Sequence, residues 1–191
     1  MKIRYNAPTV LTFAFISAAA LILSQTLMRS LMEHWFLVPG RGSFSPASFR
    51  SWVTLFTHVL GHYNWPHLVS NFSFILLIGP ILEETYGSFS LFLMIVITAL
   101  VTGVLNLIFF SSGLLGASGV VFMMILLASF TNFNKGEVPL TFILVLILYL
   151  GRELFNSFGN ENSNVSQFAH IVGGFIGSLF GFFRVSLKRA T

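Results

Sequence analysis

The sequence predicts an all-α polytopic membrane protein with six transmembrane helices, and three observations carry that reading. Of the 191 residues, 55% are hydrophobic and 8% are charged, whereas about a quarter of a soluble domain is charged. The mean hydropathy is +0.85. The apolar residues also gather into runs near span length, separated by breaks marked with Gly, Pro, Asn or charge. Composition excludes several chemistries at once. There is no cysteine, so neither disulfides nor thiolates are available. There is no aspartate; the acids are Glu33, Glu83, Glu84, Glu137, Glu153 and Glu161. The net charge of +4 includes no basic cluster long enough for nucleic acid, and basic residues beside spans report orientation instead. Without repeats, low-complexity tracts or a composition shift, residues 1–191 read as one transmembrane domain.

The first span is expected from Pro8 to about Leu27. Lys2 and Arg4 precede it, and the small run Ala18-Ala19-Ala20 lies inside the apolar stretch, which argues for an uncleaved span and not a signal peptide. A loop from about Met28 to Arg50 follows. Its turn signals are Pro39-Gly40-Arg41-Gly42 and Ser45-Pro46. Trp35, Phe36, Phe44, Phe49 and Trp52 are spread among polar residues, as in a loop lying in the membrane interface. The second span is expected from Trp65 to Leu82, with Gly87 and Ser88 turning the chain into a third from Phe89 to about Phe110. A fourth runs from Ser118 to Phe133, a fifth from Val138 to about Phe155, and a sixth from Val165 to about Val185. The polar Asn156–Asn164 loop precedes the sixth. Six spans put both termini on one side. Lys2, Arg4, Lys135, Arg184, Lys188 and Arg189 then face inward and Arg29, Arg41, Arg50 and Arg152 outward, a small positive-inside excess.

The fourth span is short. Sixteen residues reach about 24 Å, less than the ~30 Å hydrocarbon core. The Ser111-Ser112-Gly113 approach must therefore descend as irregular backbone, which membranes tolerate only inside protein or beside a wet cavity.

Polar residues inside the spans are the functional candidates. Ser118 stands in Gly116-Ala117-Ser118-Gly119, at the mouth of a helix. Small residues there serve helix packing, but they also let a substrate backbone approach a hydroxyl. The N–H groups of a helix start could then face a developing oxyanion. His170 in the sixth span shares a face with Gly173, Gly177 and Gly181, at +3, +7 and +11. That glycine seam would let the sixth span pack closely on the fourth, bringing His170 to Ser118 and setting Phe122, one turn on, against the imidazole. A serine beside a histidine is an activated nucleophile. No Ser-His-Asp triad is possible; Glu161 or Glu153 could orient the histidine, but both fall near the outer loop, so a dyad is expected. His67 and Asn71 are four apart on one face. They fit either two oxyanion donors or an interhelical contact. A competing reading uses His58, His62 and His67 to hold zinc, with Glu83 or Glu84. Gly61, Asn64 and Pro66 interrupt a helix through all three histidines, and no His-Glu-x-x-His pattern occurs.

Four stretches together resemble the rhomboid family of intramembrane serine proteases. They are His67-x-x-x-Asn71, Glu83-x-x-x-Gly87-Ser88, Gly116-Ala117-Ser118-Gly119 and Ala169-His170-x-x-Gly173-x-x-x-Gly177, and they cover most of the chain. The resemblance implies a rhomboid-like fold, Ser118 as nucleophile, His170 as base, and His67 and Asn71 near the oxyanion. It also implies transmembrane proteins as substrates, no cofactor, and a place in the bacterial cytoplasmic membrane with both termini inside. Three positions depart from the family. Phe122 stands where tyrosine is frequent, keeping a ring but no hydroxyl. Arg50-Ser51-Trp52 reverses and spaces the tryptophan–arginine pair of the first loop. The loop before the sixth span is long and rich in asparagine. The rival readings are a rhomboid-like protein that binds membrane helices without cutting them and a small transporter. Ser118 together with His170 argues against the first, and missing repeat symmetry against the second. Oligomeric state and physiological substrate have no signature in the sequence.

Overall fold

The computed structural model describes residues 5–129 and 164–190, together with positions 140, 143, 144 and 147. In order, the described helices are α1 Pro8–Thr26, α2 Leu31–Trp35, α3 Phe49–Thr57, a 3₁₀ turn His58–Leu60, α4 Trp65–Tyr86, α5 Ser88–Phe109, α6 Ser118–Ser129 and α7 Asn164–Ala190. Among the described residues there is no β-strand beyond one isolated bridge, Val38 to Leu114. Three helices, α1, α4 and α5, are long and apolar enough to cross a membrane, and α6 and the Phe168–Phe183 part of α7 are shorter apolar helices. The chain is thus a mostly helical, polytopic integral membrane protein. The expected fifth span, apart from the four isolated positions, and the 156–163 part of the polar loop lie outside the described residues.

Local chemistry accounts for the helix boundaries. Pro8 opens α1, where its missing N–H costs nothing. Asn64 caps α4, its side-chain oxygen accepting the His67 N–H at 2.9 Å. Gly87, at φ +84°, both ends α4 and precedes α5, a left-handed conformation that suits glycine. Three expected boundaries are corrected. α4 continues past Leu82 to Tyr86: it carries Pro80 inside it, and no further proline or glycine follows until Gly87. The sixth span extends beyond Val165–Val185 to Asn164–Ala190. The first loop is not irregular throughout: α2 lies inside it, and α3 and the 3₁₀ turn fill residues 49–60.

The molecule is apolar outside and carries polar groups within. Phe74, Leu77, Ile81, Phe89, Phe175 and Phe182 are exposed, whereas His58, His62, Asn71, Glu83, Thr98, Thr102 and Asn106 are buried. In water that arrangement would be costly; in lipid it is favoured, because only the interior offers hydrogen-bond partners. The centre is filled by Ile75, Leu82, Leu91, Met123 and Leu127, which draw on α4, α5 and α6.

Candidate active site

Ser118 is the first residue of α6 and is half-buried. The N–H groups of the first turn of a helix have no acceptor within it, so they remain available at Ser118. The approach from Phe110 to Ala117 is irregular, as its short span requires, and other parts of the chain satisfy its backbone. Val38 and Leu114 exchange two backbone hydrogen bonds at 3.0 Å each. Asn106 Nδ2 donates to Ser112 O at 3.1 Å, and the Gly116 N–H donates to His58 O at 3.0 Å. Leu114, Leu115, Gly116 and Ala117 are all buried. The lower part of the segment, Leu114 to Ala117, is therefore enclosed in protein, whereas Ser111 and Ser112 above it are exposed; the first loop holds the segment from one side and α5 from the other.

Glycines join α6 to α7. A Cβ on Gly173 would overlap the carbonyl oxygen of Gly119, and one on Gly177 would overlap that of Met123. In the other direction, a Cβ on Gly119 would stand 3.2 Å from Ala169 O. Gly119 and Ala169 are the chain neighbours of Ser118 and His170, so this close approach brings the two candidate residues to neighbouring positions on the facing helices. The Phe122 ring lies against His170, with centroids 4.4 Å apart and planes inclined by 37°. The geometry expected for Phe122 is thus present, although the rings are tilted and not parallel.

On the opposite side His67 lies over Gly116. At φ +127° Gly116 adopts a conformation that side chains avoid, and a Cβ there would come within 2.8 Å of His67 Nε2. Tyr63 stacks on His67, with centroids 6.1 Å apart and planes within 17°. Asn71 lies one turn further along α4 and is buried; its Nδ2 bonds to His62 Nε2 at 3.1 Å. His62 Nδ1 is 3.3 Å from Leu60 O. With Nδ1 donating to that carbonyl, Nε2 is left to accept from the Asn71 amide. Burial pushes the His62 imidazole, which lies outside the membrane-length helices, down to about 4, and the nearby His67 acts in the same direction. Neutral His62 is therefore an acceptor for Asn71, leaving the second amide N–H of Asn71 for another partner.

The zinc reading is corrected on geometry. His62 and His67 do meet, edge to face with centroids 5.0 Å apart. His58 turns elsewhere, its Nε2 3.0 Å from Ala99 O. Glu83 is committed to the start of α1, accepting the N–H of Thr9 at 2.8 Å and that of Val10 at 3.0 Å. Among the described residues no three His, Cys, Asp or Glu side chains converge as a ligand set.

Sequence reasoning assigns His62 only to the metal and passes over a buried polar stripe on α5, Thr98, Thr102 and Asn106. The stripe has a visible signal, polar residues at +4 and +8 in an otherwise apolar span. It adjoins the site from below: Thr102 is 3.5 Å from His58 Nε2, and Asn106 holds Ser112.

Residues 50–187 match the family model described as the Rhomboid domain. The chain is 26% identical over 137 residues to the rhomboid protease GlpG of Haemophilus influenzae, covering 70% of each protein. It is 32% identical over 95 residues to the chloroplastic Rhomboid-like protein 11 of Arabidopsis thaliana, covering 48% of this chain and 34% of that one.

Proposed function

Because this chain belongs to the rhomboid family, we propose that it is an intramembrane serine endopeptidase that cuts transmembrane segments of other membrane proteins, with Ser118 as nucleophile and His170 as base. Ser118 Oγ attacks the scissile carbonyl carbon while His170 takes the hydroxyl proton. The oxyanion is received by the Ser118 N–H, the free Asn71 amide N–H and His67. The tetrahedral intermediate collapses, the C–N bond breaks, and His170 returns the proton to the departing amine. Water, activated by the same imidazole, then releases the acyl group from Ser118. No metal or cofactor takes part. The observation that supports this most is the backbone contact of α6 with α7, Gly119 on Ala169 and Gly173 on Gly119, with Phe122 against the imidazole. The GlpG relative, named a protease, supports the same activity.

The test is a fluorophosphonate probe on detergent-solubilised protein, together with cleavage of a labile model transmembrane substrate. One adduct on Ser118 is expected. Ser118→Ala should abolish labelling and cleavage, His170→Ala should nearly do so, and chelators should leave both intact. Cleavage that survives Ser118→Ala, or a folded wild type that neither labels nor cuts, overturns the reading; the second result would describe a family member that binds helices without cutting them.

A further inference from the structure

α1 and α5 are tied together where both begin, Thr9 Oγ1 donating to Ser88 O at 3.0 Å. Beyond that tie a cavity of about 420 Å³ opens between them. Its walls are the Phe13 and Ile16 face of α1 and the Phe92, Ile95 and Val96 face of α5, and its far end is closed by Phe56, Val59 and Leu60. Hydroxyl groups stand only at the near end, on Thr9, Thr12 and Ser88; everywhere else the lining is hydrocarbon. Ile16, Phe56 and Phe92 are roughly half exposed at its edge, so the cavity faces outward, where a membrane protein meets lipid.

We propose that this cavity is a lipid site that holds one acyl tail of a diacyl phospholipid from the leaflet in which α1 begins. Depth is the first reason. From Ser88 to Ala99, both lining residues, is eleven residues, or about 16 Å at 1.5 Å each. Half of the ~30 Å hydrocarbon core, the share of one leaflet, is about 15 Å. Polarity is the second. The hydroxyl end lies at the helix starts, where a headgroup would sit, and the hydrocarbon end lies near the midplane, where a tail would finish. Water finds no partners along such walls, and an empty cavity would forfeit the dispersion contacts of its lining.

The tail would end against the 3₁₀ turn. That turn supplies His58 O to the Gly116 N–H and Leu60 O to His62, so a seated tail would brace two of the groups that hold the candidate site. The lipid site itself does not depend on the protease reading; only this bracing does.

The experiment places the protein in nanodiscs containing a phosphatidylglycerol that carries a diazirine midway along one tail. After irradiation, adducts are mapped by mass spectrometry. Phe13, Ile95 and Val96 should be labelled several-fold above Leu77 and Phe175, which face lipid on other sides of the molecule. Val96→Trp, which fills the cavity, should remove the adducts at Phe13 and Ile95 and spare those at Leu77 and Phe175. Ile16→Trp, at the exposed rim, should do the same and decides the matter if Val96→Trp does not fold. Labelling of the cavity no stronger than at the two control positions, labelling unchanged by both variants, or a cavity closed by a second copy of the chain would each overturn the proposal.

Discussion

At the scale of single residues, the Asn71–His62 pair makes the sharpest prediction. If the Asn71 amide is an oxyanion donor, Asn71→Ala should lower kcat by up to about 10² to 10³-fold with little change in KM. His62 is hydrogen-bonded to the site through Asn71 and also packs edge to face on His67, so His62→Ala should cost part of that factor in wild type and clearly less in an Asn71→Ala background. A double-mutant cycle on kcat checks this, and additive effects would separate His62 from Asn71. His62 also sets a pH limit on stability. It lies outside the membrane-length helices, and burial holds its imidazole down to about 4, below the ordinary 6.5. Between those values the unfolded chain binds more protons than the folded one. The stability it contributes is complete above about 6.5 and is lost as pH falls toward 4. The slope is at most about 1.4 kcal/mol per pH unit. Thermal unfolding between pH 7 and 4.5 should follow this course, and a His62→Asn variant should flatten it. The candidates His67, Asn71 and His170 are legible in the sequence, because an ionisable or amide group inside an apolar span is conspicuous, and Ser118 is legible from the small residues Gly116, Ala117 and Gly119 around it. The role of His62 is not, because its partner lies nine residues away across the Asn64 cap, and helical spacing arguments stop at a cap.

At the scale of elements, the seam between α6 and α7 leaves no room for even one methyl group at Gly173 or Gly177. Gly173→Ala should push the two backbones apart at a cost of about 1–3 kcal/mol, typical of an overpacked interior. Activity should fall together with the unfolding temperature, since the same displacement carries His170 away from Ser118. A Gly173→Ala protein with wild-type activity and melting temperature would show that the helices relax without loss. The seam is readable from the +3 and +7 glycines, because small residues that recur at helical spacing have few uses other than close packing. The helices of the first loop are not readable. α2 has five residues and α3 nine, too short for periodicity to stand out, and α3 packs on α5, far along the chain.

At the scale of the whole molecule, Glu83 joins the end of α4 to the start of α1. Glu83→Ala would leave the Thr9 and Val10 N–H groups without their acceptors, at about 1–3 kcal/mol for each buried donor. Glu83→Gln keeps one carbonyl oxygen and should lose less. The unfolding temperature should fall in the order wild type, Glu83→Gln, Glu83→Ala. Activity measured well below the transition should change little, since the contact is at the opposite end of α4 from His67. A large loss of activity in a fully folded Glu83→Ala protein would contradict that separation. The motif containing Glu83 is visible in the sequence, but its partner, more than seventy residues earlier, is not, since nothing in an apolar helix start announces which carboxylate will cap it.

The contact between Gly119 and Gly173 also bears on how the protein is made. A ribosome delivers α6 well before α7, so a nascent chain carries Ser118 in place while the helix bearing His170 is still unsynthesised. By the dyad reading, such a chain holds only an ordinary alcohol. It cannot attack its own emerging spans or those of its neighbours at the insertion site. On the same reading, reactivity begins when the second glycine helix settles against the first, so that completion of folding is the event that arms the proposed protease.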